Sequence, residues 1–268
     1  MSTGNLFAAF RQYGTIEEGI LYMNNNEIIV VRGLTKKYGR NLVLQGLSFD
    51  IRQGEIFGLF GPNGAGKSTF ISILATICKP TSGDILVNGS SVTGQPDNVK
   101  AVIGFVPQDI ALYPMLTGMD NLAFWAGIYG LRGSLKRERI AEAVSVVRLE
   151  ERIKDKVSQY SGGMKRRLNI AVALLHHPEI LVMDEPTVGV DIQSCRTILD
   201  ALASLKKDGR TIVFTSHYIN ELETLCDRIA VMDKGRILAS GTSAELKKAC
   251  GTDNLEAVLH KLTDSQSG

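Results

Sequence analysis

The run Gly61-Pro62-Asn63-Gly64-Ala65-Gly66-Lys67-Ser68-Thr69 fits the pattern GxxxxGK[ST] and lies between a strand-like and a helix-like segment. A triphosphate needs many donors, and glycines let backbone N–H groups turn inward without a Cβ in the way. A helix N-terminus adds the positive end of its dipole. Lys67 would reach the β- and γ-phosphates and Ser68 would ligate Mg²⁺. Gly61, Asn63, Gly64, Gly66 and Thr69 complete the candidate nucleotide-binding set in this loop.

A second cluster follows four apolar residues, Ile180-Leu181-Val182-Met183, with Asp184 and Glu185 at their C-terminal end. Parallel α/β sheets bind ligands at that edge. Asp184 would hold Mg²⁺ through water, and Glu185 would orient or deprotonate an attacking water. Three weaker signals accompany these. Gln108 follows a strand-like run and Pro107, and alone reads as a surface glutamine. His217 ends Thr211–Ser216, and alone reads as structural. Ser161-Gly162-Gly163 precedes a helix pattern over Met164–Leu175 and is a second candidate anion nest.

Positioning these residues requires strands that deliver loops to one edge. Short apolar runs at Glu55–Phe60, Val102–Val106, Ile180–Met183, Thr211–Thr215 and Ile229–Met232 alternate with helix patterns, which argues a parallel sheet covered on both faces. Glu27–Arg32, Leu47–Ile51 and Asp84–Val87 predict a smaller antiparallel sheet, with turns at Lys36-Lys37-Tyr38-Gly39 and Asn88-Gly89. A helix is expected from Lys67 to about Cys78. Between about 110 and 175 the patterns are helical, with Asp120–Tyr129 and Leu135–Val147 as separate helices. The class is therefore α/β.

Composition excludes other classes. In 268 residues, 44% are hydrophobic and 22% charged, so disorder, collagen and coiled coil are ruled out as the main architecture. A net charge of +2 does not call for nucleic acid. Cys78, Cys195, Cys226 and Cys250 form no CxxC, so free thiols in a reducing compartment are expected. Arg11, Glu17 and Glu18 interrupt any export signal at the N-terminus. Ile110–Leu131 is long and poor in charge, yet Asp120, Pro114 and its glycines predict a loop and a water-exposed helix rather than a membrane span.

The glycine loop, Gln108, Tyr160-Ser161-Gly162-Gly163-Met164, the Asp184-Glu185 strand end and His217 occur in that order. In this the chain resembles the ATP-binding-cassette (ABC) ATPases, from about Glu27 to Leu246. The resemblance implies a P-loop RecA-like core, a small antiparallel β subdomain and an inserted α-helical subdomain. It divides the chain into an N-terminal extension (1–26), an ATPase domain (27–242, helical insert about 110–175) and a short helical tail (243–268).

Further implications concern the site. ATP and Mg²⁺ are the implied cofactors. Tyr38 would stack on adenine, and Gln108 would touch Mg²⁺ and the permease's coupling helix. Glu185, His217, Lys67 and Gln108 would be catalytic. Ser161, Gly162 and Gly163 would bind the γ-phosphate of ATP held by another copy, with Asp191 crossing the interface.

The implied assembly is a head-to-tail dimer, of two copies or with a second ATPase subunit, working on a separate integral-membrane permease. It would sit on the cytoplasmic face of the membrane, without inserting and without nucleic acid. Two positions depart from the common pattern: Met164 replaces a glutamine, and Ile192 a proline. Together with Lys165-Arg166-Arg167, the Tyr-Ser-Gly-Gly-Met form is similar to the branch of drug, polysaccharide, haem and ion exporters. Soluble relatives acting on ribosomes or DNA, and an ATP-gated regulatory module, are the alternatives.

Overall fold

The computed structural model describes residues 26–216 and 218–264; most of the N-terminal extension and His217 lie outside the described residues. In chain order the first elements are β1 (Glu27–Tyr38), β2 (Asn41–Arg52), β3 (Ile56–Phe60), α1 (Lys67–Leu74), β4 (Ser82–Val87) and β5 (Ser90–Ser91). Then come α2 (Pro96–Val102), β6 (Ile103–Val106), α3 (Gly118–Ile128), α4 (Gly133–Val146), α5 (Gly162–Leu174) and β7 (Ile180–Met183). The chain closes with α6 (Ile192–Lys207), β8 (Thr211–Ser216), α7 (Ile219–Leu225), β9 (Arg228–Asp233), β10 (Arg236–Gly241), α8 (Ser243–Cys250) and α9 (Leu255–Asp264). Two compact units result, one running to Pro96 and resuming at Thr215, the other Asp97–Phe214.

In the first unit, β2-β1-β4-β5 form an antiparallel sheet. Asn88 and Gly89 both take positive φ, 46° and 77°, as a tight hairpin turn requires. β3 runs parallel to β9, with Phe60 opposite Val231, and β10 returns antiparallel along β9. All five residues of β3 are buried. In the second unit β6, β7 and β8 pair in parallel, Ile103 to Ile180 and Ile180 to Thr211. Every residue of β7 and β8 is buried, so β7 and the Ile212–Phe214 centre of β8 are continuous apolar runs rather than alternating ones.

Several boundaries differ from expectation, two of them in β1 and α1. Lys36-Lys37-Tyr38 is strand, paired through Tyr38 with Asn41, and the turn is Gly39-Arg40. Partner pairing with β2 overrides the local turn signal there. α1 ends at Leu74 instead of Cys78. Thr76 takes a left-handed φ of 59°, its N–H bonds to Ile73 O, and the Ile77 N–H bonds to Ser72 O. That pair of reversed bonds closes a helix C-terminus and stops its propagation.

Ile110–Leu131 divides into a loop and α3, as expected. Thr117 caps α3 by accepting from the Asp120 N–H at 3.0 Å. No described helix is long and apolar enough to cross a membrane. None of the four cysteines forms a disulfide.

Candidate active site

In the first unit the glycine loop joins the buried end of β3 to the start of α1. Gly64 and Gly66 take φ of 82° and 107°, conformations that a side chain strains. Gly61 is required for space: a Cβ there would lie 2.1 Å from Met232 O on β9. Lys67 is buried and curls back over its own loop. Its Nζ donates to Gly61 O at 2.8 Å and to Pro62 O at 3.1 Å. Asn63, Gly64 and Ser68 are exposed, and the first turn of α1 holds no acid. A left-handed loop, a helix N-terminus and a lysine ammonium together fit a polyphosphate.

Tyr38 stands at the end of β1, half exposed, with Lys36 Nζ 4.8 Å from its ring centre. Its hydroxyl bonds the side chains of Thr69 in α1 and of Cys78 (O···S 3.8 Å). Partial burial and the Cys78 contact push its pKa up, so the phenol stays neutral. The ring is thereby held beside the glycine loop.

The second unit brings together Gln108 and Glu185. Asp184 and Glu185 are buried just past β7, and the Asp184 N–H donates to Val106 O at 3.0 Å. Gln108 Nε2 donates to Glu185 Oε2 at 3.3 Å. Glu185 holds a left-handed φ of 48°, uncommon for a glutamate. Such backbone persists only where surrounding structure enforces it, and it clusters at functional sites.

Ser161 and Asp191 also converge. Ser161 caps α5 by accepting from the Met164 N–H, and Asp191 caps α6 by accepting from the Ser194 N–H at 2.9 Å. Gly162 and Gly163 thus form the first turn of α5. A Cβ on Gly163 would lie 2.2 Å from Ser194 Oγ and 2.7 Å from Asp191 Oδ2, so that glycine serves close packing between the two helix starts. Hydrogen bonds from Ser194 hold the Asp191 carboxyl below its usual pKa, keeping it ionised.

A family model described as ABC transporter matches residues 44–188, more than half of the chain. The chain belongs to the ABC transporter family. The linearmycin resistance ATP-binding protein LnrL of Bacillus subtilis (strain 168) is 46% identical over 228 residues, covering 85% of this chain and 73% of that protein. The Nod factor export ATP-binding protein I of Ralstonia nicotianae (strain ATCC BAA-1114 / GMI1000) is 40% identical over 224 residues, covering 84% of this chain and 70% of that protein. A solved dimeric ATP-binding cassette in a post-hydrolysis state, bound to ADP and Pi, superposes with a TM-score of 0.72 at 30% identity, covering 80% of this chain and 98% of its own. This ABC protein is accordingly an ATP-binding subunit and an ATPase. Its fold class is the expected one: an α/β core with an antiparallel β subdomain and a helical region.

One residue of the ABC cassette escaped the sequence reading. Arg166 sits in α5 with 5% of its surface exposed, whereas in the sequence Lys165-Arg166-Arg167 shows only as a basic triplet similar to that of the exporter branch. Its helical spacing from Ile170 and Ala173, both buried, was the available signal.

Proposed function

We propose that this chain is the ATP-hydrolysing motor of an exporter, closing with a second cassette on ATP and acting through a transmembrane permease. The observation carrying this reading is Glu185, a buried carboxylate in left-handed backbone, held by Gln108 at the end of a buried parallel strand. Export is favoured by the relatives, which are named for drug resistance and Nod factor export.

Lys67 and the backbone N–H groups of the glycine loop hold the phosphates, and Tyr38 stacks on the base. By correspondence to the family motifs, Ser68, Asp184 and Gln108 are the residues that would offer oxygen ligands to Mg²⁺, whose charge would offset that of the phosphate oxygens when bound. Glu185 orients the attacking water and accepts its proton, and His217 assists by its correspondence to the family motif. Ser161, Gly162 and Gly163 meet the γ-phosphate of ATP held on the second copy, beside Asp191. The solved dimeric relative supports that pairing. Steady-state turnover against protein concentration tests it: the rate should rise faster than linearly, and a strictly proportional rate would count against a dimeric motor.

Base stacking on an aromatic ring contributes about 1–3 kcal/mol. Tyr38→Ala should therefore weaken ATP binding by about 5- to 150-fold. Calorimetric titration measures this, and an unchanged affinity would remove Tyr38 from the site.

The permease dock is assigned to the loop before α3 and the outer surface of that helix. Tyr113, Met115, Leu116, Phe124 and Ile128 are all exposed there, and Tyr113 meets Phe124 edge-on at 5.0 Å. Such a contiguous apolar patch marks an interaction surface, and a permease would hold the chain at the cytoplasmic face of the membrane. Tyr113→Glu or Met115→Glu should abolish co-purification with the permease and spare basal ATPase. Retained co-purification in both would sink the assignment.

A further inference from the structure

Arg166 is a buried charge that the reading above leaves without a role. Burying a guanidinium is costly unless its fork meets acceptors. Here the fork meets two consecutive main-chain carbonyls: Nη1 donates to Pro107 O at 2.7 Å and Nη2 to Gln108 O at 2.5 Å. Nε has no acceptor among the described residues. Burial pulls the pKa of the guanidinium down, and the nearby carboxylates of Asp109 and Asp184 oppose that pull. The arginine thus touches the loop that carries Gln108 and feels the field of Asp184.

The next link is Gln108 itself. Arg166 holds its backbone, and its side chain holds Glu185 at 3.3 Å. At the other end, Arg166 is one turn from Ser161, Gly162 and Gly163, of which Ser161 and Gly162 face solvent. A displacement of the α5 start therefore moves the two carbonyls, the Gln108 side chain and the environment of Glu185 together.

We propose that Arg166 is a positioning residue: it sets Gln108 against Glu185 and ties that setting to the Ser161–Gly163 helix start. The proposal rests on the reading of Gln108 and Glu185 as site residues. The planar fork gives each carbonyl its own donor in fixed geometry, whereas a lysine keeps the charge but offers a single point donor on a flexible stem, so it loses the register.

The test is steady-state ATPase of the full chain, with kcat and KM separated and thermal midpoints recorded. The proteins are the wild type, Arg166→Lys, Gln108→Ala and the double variant. Arg166→Lys should melt near wild type, keep KM within about twofold and lose about tenfold in kcat. In the Gln108→Ala background the same change should cost less than about twofold, because its route to Glu185 is already cut. Arg166→Gln, which keeps one amide donor, serves if the lysine variant does not fold, and must show the same dependence on Gln108.

Wild-type kcat in a folded Arg166 variant overturns the proposal. So does an equal loss in both backgrounds, and so does failure of both variants to fold, which would make Arg166 part of the frame alone. Wild-type kcat in Gln108→Ala itself would instead overturn the underlying site reading.

Discussion

Glu185→Gln is expected to lower kcat for ATP hydrolysis by about 10²- to 10⁴-fold, the range for removing a general base. ATP affinity should stay within about threefold, because a base contributes to the transition state far more than to ground-state binding. The substitution keeps side-chain volume, and the new amide oxygen can still accept from Gln108 Nε2. The left-handed backbone is demanded equally of both residues, so the melting temperature should hold. With turnover blocked, ATP and Mg²⁺ should trap a species of twice the mass on a sizing column. A variant that hydrolyses ATP within about threefold of wild type would place the base elsewhere.

Gly61→Ala should be the most damaging change in the glycine loop. The new methyl would lie 2.1 Å from Met232 O and 3.1 Å from Met232 C, both backbone atoms of β9. β9 pairs with β3 immediately before the loop, so neither strand can retreat without breaking the ladder. Forced overpacking of this kind costs about 1–3 kcal/mol. In a chain of this size that lowers the melting temperature by about 2–12 °C.

The larger effect is on binding, because Gly61 O also holds Lys67 Nζ. ATP affinity should fall more than about tenfold, the loss expected when a charge-assisted phosphate contact is misplaced. Gly127→Ala, where a Cβ meets nothing within 4 Å, is the matched control and should melt at or slightly above wild type. Normal ATP binding by Gly61→Ala would show that the β3–β9 contact yields more easily than backbone should.

The parallel strands were legible because strands buried on both faces lose alternation, and Ile180–Met183 and Thr211–Ser216 are buried throughout. The glycine loop was legible because its chemistry is local to one run of residues. What failed to show depends on distant partners. Lys36 and Lys37 look like turn residues until β2 lies alongside them. Gly163 reads as part of an anion nest, and its need to be small shows only when Ser194 occupies the space a side chain would take.

Arg166 and Arg167 are indistinguishable in the sequence, two members of one basic triplet. In the fold, Arg166 binds Pro107 and Gln108, and Arg167 donates to Val147 O and Arg148 O at 3.1 and 3.0 Å. No sequence pattern marks the left-handed φ of Glu185, since the conformation is imposed by the turn that follows β7.

The apolar surface before and along α3 also governs how the isolated chain behaves in a tube. Met115 and Ile128, 72% and 65% exposed, are hydrated at a cost that self-association relieves. A net charge of +2 provides little repulsion between molecules. Sulfate or phosphate buffers, which strengthen apolar association, should promote clouding, and dilute buffers should reverse it without any change in secondary structure. Clouding of that kind would be a colloidal effect of this exposed apolar surface, relieved by a partner that covers it and not by refolding.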